Sequence, residues 1–210
     1  MIKKSASKLL PLATTTIRGK PPRQSQFKVL RKFEQVIGKL SGAFGWLAGW
    51  LCILMIVVVF LDVVARYGFD AGSIAMQELE WHLFAAVFLL GAAYTMRENA
   101  NVRVDVFYAK MSARKKAMVD IFGTVVFVIP MCSLILYSSY DFVAYSYQIQ
   151  EVSNDPGGLP YRFAFRALLP LGYFLVMIQS LAVISRNVRI LAGDTDSELT
   201  KNSPTHQEKL

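Results

Sequence analysis

The sequence has 210 residues, of which 54% are hydrophobic and only 18% charged, whereas about a quarter are charged in a typical water-soluble domain. Its mean hydropathy is +0.37, yet 23 Lys and Arg stand against 15 Asp and Glu, a formal net charge of +8. The apolar content excludes a chain disordered throughout, and apolar runs of bilayer length argue against a nucleic-acid binder, so composition points to a small integral membrane protein.

Residues 1–25 begin with a basic cluster, but the apolar stretch behind it is short and broken by Pro11. They read as a disordered basic cytoplasmic arm, not as a cleaved signal peptide. From Phe27 the pattern changes: Phe27, Leu30, Phe33, Ile37 and Leu40 recur every three or four positions among Lys28, Arg31, Lys32 and Lys39. This spacing predicts an amphipathic interfacial helix over 26–41, lying at the cytoplasmic surface before the chain turns into the first span; the alternative is a helical extension of the first span into water.

Apolar runs follow at about 42–65, 79–96, 117–140 and 164–184. Each is about 18 to 24 residues, or about 27 to 36 Å as a helix, against a hydrocarbon core of about 30 Å. Lipid offers no partner to unpaired backbone groups, so each run is read as a helix. The expected fold class is an all-α integral membrane protein with four transmembrane helices spanning 42–192. The polar, aperiodic stretch 193–210 reads as a disordered cytoplasmic tail.

Charge assigns the sides. Residues 1–41 hold ten Lys and Arg, 97–116 hold six and 185–210 hold four, while Arg66, Arg162 and Arg166 lie near the other two loops. Positive charge is retained on the cytoplasmic side during insertion, which predicts N-in and C-in topology, with loops 67–78 and 141–163 facing out.

Polar residues near the membrane are the candidates for function. Asp62 and Arg66 are four apart at the outer end of the first span, where they share a helix face and are expected to pair. Glu78 and His82 are likewise four apart on the entering turn of the second span, flanking Glu80 and Trp81; their shallow position favours interfacial anchoring over a proton relay. Asp120 sits one turn inside the third span, close to Lys115 and Lys116, and reads as a carboxylate near a helix N-terminus.

Pro130 and Pro170 interrupt the third and fourth spans and are expected to kink them. Gly45 and Gly49 form a GxxxG in the first span, and Gly91 lies in a small-residue stretch of the second, both consistent with close helix contact. Cys52 and Cys132 lie singly in apolar runs, which argues against a thiol oxidase. His82 has no second membrane histidine to complete a bis-His haem site. No Walker loop, nucleophile elbow, HExxH or clustered metal ligands are found, so neither an enzyme nor a cofactor is expected.

Three stretches together carry a family resemblance: DVVARYGF at 62–69, QELEWHLFAAVFLLGAAYTMRENANVRVDVFY at 77–108, and GGLPYRFAFRALLPLGYFLVMIQSL at 157–181. With the four spans, over roughly 35–192, the chain resembles the DctQ-like small membrane subunit of tripartite ATP-independent periplasmic (TRAP) transporters. It departs from the family in having Asn101 where a His is frequent, and Glu78-Leu79-Glu80-Trp81 where paired acids are frequent.

The resemblance implies a bacterial inner-membrane scaffold with two partners. One is a large membrane subunit that carries the substrate and sodium sites and moves by an elevator motion; the other is a periplasmic solute-binding protein. It marks Asp62, Arg66, Glu78, Glu80, Trp81, His82, Gly91, Arg97, Asp105, Arg166 and Pro170 as candidate assembly or interface residues. The alternative is a free-standing four-helix carrier or exporter coupled to protons through Asp62, Glu78 or Asp120. Under the scaffold reading, replacing Arg66 or Arg97 lowers the yield of the assembled complex while leaving solute preference unchanged, as measured by pull-down and by competition between solutes.

Overall fold

The computed structural model describes residues 24–101, 108 and 111–193. The disordered arm expected at 1–25 lies outside them except for 24–25, and the tail at 193–210 does so except for Gly193. Four long helices carry the four apolar runs: α1 (Gln24–Gly68), α2 (Ile74–Arg97), α3 (Ala113–Gln148) and α4 (Arg162–Leu191). All four are long and apolar enough to cross a membrane.

The amphipathic stretch 26–41 is helical, but no turn separates it from the first span; both belong to the unbroken 45-residue α1. No glycine or proline at the junction forces a bend, since Gly38, Gly42 and Gly45 lie in helix and Pro is absent from the segment. The lower stretch is also held by packing: Ile37 and Ser41 are buried, and Glu34 pairs with Arg189 of α4.

Helix ends are closed by residues in the left-handed region. Asp70 (φ 50°), Asn99 (φ 54°), Gln150 (φ 47°) and Gly193 (φ 85°) follow α1, α2, α3 and α4 in turn. Behind α2 and α3 the amides of Ala100 and Glu151 return to the carbonyls of Thr95 and Ser146, each at 3.0 Å. These backward bonds satisfy carbonyls that the helix leaves open.

Both prolines sit where the helix has already changed its geometry. In α3 a π-helical turn, Thr124–Val128, precedes Pro130, which falls in the first turn of the α-helical stretch Ile129–Gln148. In α4 a short stretch Arg162–Arg166 steps at Ala167 into Leu168–Leu191, so Pro170 lies in the first turn of the second piece. A proline inside a helix removes one backbone bond, and the π turn before Pro130 and the step before Pro170 are local changes of the kind that accommodate it.

The interior is built from small and polar residues, while large apolar side chains face outward. Ala48, Leu90, Ala93 and Leu175 form a compact buried cluster, with Phe44, Leu51, Val176 and Ile178 against it. Ser41, Ser139, Ser146 and Ser180 are buried, whereas Trp46, Ile53, Ile56 and Phe60 of α1 are exposed. That distribution suits a bundle in lipid, where association depends on close approach and hydrogen bonds, not on removing apolar surface from water.

Glycine positions show which approaches are close. A Cβ at Gly172 of α4 would lie 2.7 Å from Leu89 Cβ and 3.1 Å from the Leu89 carbonyl oxygen on α2, whereas one at Gly49 would meet nothing within 4 Å. At Gly45 it would meet the Tyr94 side chain at 2.4 Å. Of the GxxxG pair, Gly45 therefore makes a contact and Gly49 does not. Gly172→Ala should destabilise the bundle by about 1–3 kcal/mol, whereas Gly49→Ala should be neutral or stabilising by up to about 1 kcal/mol. Thermal midpoints of both variants in one detergent test this pair, and equal midpoints would contradict the packing described.

Candidate functional site

Polar side chains concentrate at the two ends of the bundle. At the end carrying the two loops, Asp62 and Arg66 of α1 form the expected ion pair. Asp62 is almost completely buried, while Arg66 is partly exposed and reaches α2. With its amide oxygen turned toward Arg66, Gln77 accepts from Nη1 at 3.2 Å and Nη2 at 2.5 Å. One guanidinium thereby joins the first helix to the second.

Glu78, one residue on, is buried and points to the second loop. Its carboxylate accepts from the Ser153 hydroxyl, and from the Leu159 amide at 2.6 Å. Between these two anchors the chain makes a turn in which the Gly158 amide donates to the Asp155 carbonyl at 3.0 Å, with Gly157 at φ 82°. Pro156 and Gly157 occupy the central positions that a type II turn favours. Gly158 has a separate reason to be glycine: a Cβ there would approach Ser153 Oγ to 2.4 Å and Glu78 Oε2 to 2.8 Å. The Asp155-Pro-Gly-Gly turn thus doubles as the lid over a buried carboxylate.

The same loop is tied to α3 and α4. Glu151 accepts from Arg166 at 2.5 Å, and the Arg166 guanidinium lies 4.1 Å from the centre of the Phe142 ring. His82 Nδ1 lies 2.5 Å from the Glu78 carbonyl oxygen, and its ring packs 4.1 Å from that of Phe165. Trp81 is exposed and edge-on to His82. Glu80 is partly buried, with Oε1 lacking a hydrogen-bond partner among the described residues.

A second cross-link set occupies the basic end. Glu34 of α1 accepts from Arg189 through Nε at 3.0 Å and Nη2 at 2.5 Å, and from the Ser185 hydroxyl at 2.7 Å. One turn or two deeper, Ser41 donates to Gln179 at 2.7 Å. Arg97 folds over bare backbone, since a Cβ at Gly42 would meet its Nη1 at 2.4 Å and one at Gly38 its Nε at 3.6 Å. Asp120 accepts from the Tyr108 hydroxyl at 2.9 Å, and Lys116 lies over that tyrosine ring.

The structure thus gathers Asp62, Arg66, Glu78, His82 and Arg166 at one end and sets Arg97 at the other. Gly91 faces Ala48 of α1 with room for a methyl group, and Pro170 borders the step in α4. Asp105 lies outside the described residues. Residues that the motif reading passed over are Glu34, Ser41, Ser153, Gln179 and Arg189. A signal existed for two of them: Glu34 is the lone acid among the basic residues of the stretch 26–41, and Gln179 is a polar residue within an apolar run.

The arrangement holds helices and a loop in place, and the carboxylates of Glu34, Asp62, Glu78 and Glu151 are engaged by neighbours within the chain. A family model, "Tripartite ATP-independent periplasmic transporters, DctQ component", matches residues 55–190, which take in α2–α4, the cross-linked loop and the last part of α1, from residue 55 on. The chain belongs to the DctQ family. Two proteins of Haemophilus influenzae, each provisionally named a TRAP transporter small permease protein, are similar to it. One is 34% identical over 116 residues, covering 53% of this chain and 71% of the relative; the other is 22% identical over 151 residues, covering 71% and 89%. DctQ proteins are transporter components, not enzymes.

If Glu78 is the anchor of the second loop in this DctQ chain, Glu78→Ala should speed hydrogen exchange at the Leu159 amide on the order of tenfold, because that N–H loses its charged acceptor. Exchange within α1 should stay unchanged. Mass-spectrometric exchange in detergent reads both, and an unchanged Leu159 rate would rule the anchor out.

Proposed function

We propose that this chain is the small permease subunit of a TRAP-type secondary transporter, scaffolding a large membrane subunit and helping to dock a periplasmic solute-binding protein. The complex takes up an organic acid or related solute, driven by sodium. The observation that carries this reading is the internal use of the polar groups. Asp62 is held by Arg66, Glu78 by Ser153 and Leu159, Glu34 by Arg189, and Ser41 by Gln179. A carrier needs polar groups facing a path that substrate can enter, and groups so engaged are suited to fixing helices relative to one another.

In this reading the solute and sodium sites belong to the large subunit, and this chain holds no cofactor. The basic end faces the cytoplasm with both termini, following the retention of positive charge, and the protein resides in the bacterial inner membrane. The loops at 69–73 and 149–161 then face the periplasm. Glu78 and Glu151 are engaged internally, so the acidic groups these loops present to a docking partner are Asp70 and Asp155, both exposed, with the exposed Asp141 about two turns inside α3. Their part is to steer and orient the binding protein.

Purification of the tagged chain from its native membrane should bring down a large, many-span permease in fixed ratio. Transport by this chain alone in liposomes, abolished by Asp62→Asn or Asp120→Asn, would instead establish a free-standing carrier and overturn the scaffold reading.

A further inference from the structure

At the basic end, a shallow hollow of about 320 Å³ opens on the outside of the bundle between α3 and the end of α4. Met118, Ile121, Phe122, Val125 and Val126 form one wall and Leu191 the other, and the lining is almost wholly apolar. Its size is at the lower end of the roughly 300–1,000 Å³ common for ligand sites. Two cations stand on the same helix face, one turn nearer the helix start. Arg114 precedes Met118 and Ile121 by four and seven residues, and Lys115 precedes Met118 and Phe122 by three and seven, the spacings that align side chains along one face.

Arg114 and Lys115 are both exposed. Their neighbours on other faces are engaged elsewhere: Lys116 lies over Tyr108, and Asp120 accepts from the same tyrosine. No carboxylate lies among the lining residues to neutralise the pair. Helical side chains lean toward the helix N-terminus, so both cations extend away from the apolar hollow toward the aqueous boundary. An apolar slot capped by two positive groups at headgroup depth is complementary to one type of membrane molecule, with an anionic head and an acyl chain.

We propose that this hollow is a binding site for an anionic phospholipid, whose acyl chain lies against Met118, Phe122 and Leu191 while Arg114 and Lys115 hold its phosphate. Assignment to lipid, not free phosphate, follows from the apolar wall, which would leave an inorganic anion with no use for the hollow. The site is independent of the transporter reading: it depends on the described helices and on a membrane, not on the large subunit or the solute.

The test uses the full-length chain equilibrated with mixed micelles containing equal amounts of phosphatidylglycerol and phosphatidylcholine, with retained lipid counted by native mass spectrometry. Phosphatidylglycerol should be retained preferentially. Arg114→Gln and Lys115→Gln should each lower that preference by about fivefold, with thermal midpoints unchanged because both residues are exposed. Val126→Trp, which fills the slot from an exposed position, should reduce retention while leaving both cations in place. Equal retention of the two lipids, or a preference indifferent to the two glutamine variants, would overturn the proposal. So would a preference that survives Val126→Trp, since the lipid would then be held by basic charge alone and not by the hollow.

Discussion

Four helices in lipid gain little from burying apolar side chains against one another, because the surrounding acyl chains are equally apolar. What holds them must be backbone approach and polar contact, and the chain is built around that constraint. Most of its large apolar residues are turned outward, and its interior mixes alanine and serine with a few aliphatic side chains such as Leu90 and Leu175 and with the charged Asp62, Glu78 and Arg189, each of which has a partner. The glycine contacts set the separation of α2 from α1 and α4. The cross-links Arg66–Gln77, Glu78–Ser153 and Glu34–Arg189 set the relative heights of the helices. An ion pair with one partner removed would leave a buried charge uncompensated, so these links specify alignment more than they add stability.

The four spans were readable because membrane helices must be apolar over a fixed length, and the Asp62–Arg66 pair because both partners lie on one turn of one helix. The distant partners were not. Gln77 lies on the next helix, Ser153 and Leu159 are 75 and 81 residues from Glu78, and Arg189 is 155 residues from Glu34. Spacing along the chain carries no trace of such pairings until the helices are docked. The glycines show the same limit. Gly45 and Gly49 have the spacing of a contact motif, yet docking turns Gly45 alone toward Tyr94, while the isolated Gly172 makes one of the closest approaches to backbone.

The junction between the amphipathic stretch and the first span was illegible for a different reason. Periodicity reports which residues share a face, but not whether a helix bends between two environments, so an interfacial helix and an extension of the span fit the same pattern. The continuous α1 is accompanied by packing, since Glu34 and Ser41 both bind α4. For a DctQ protein, this extends the ordered bundle beyond the residues matched by the family model, which begin at 55.

A helix of 45 residues is about 67 Å long, more than twice the hydrocarbon thickness. Without a joint along its length it behaves as a lever whose two arms are geared together. A tilt of about 5° about one end displaces the other by roughly 6 Å at this length. The clasp between Glu34 and Arg189 is placed to resist that swing at the end of the helix away from the loop at Asp70.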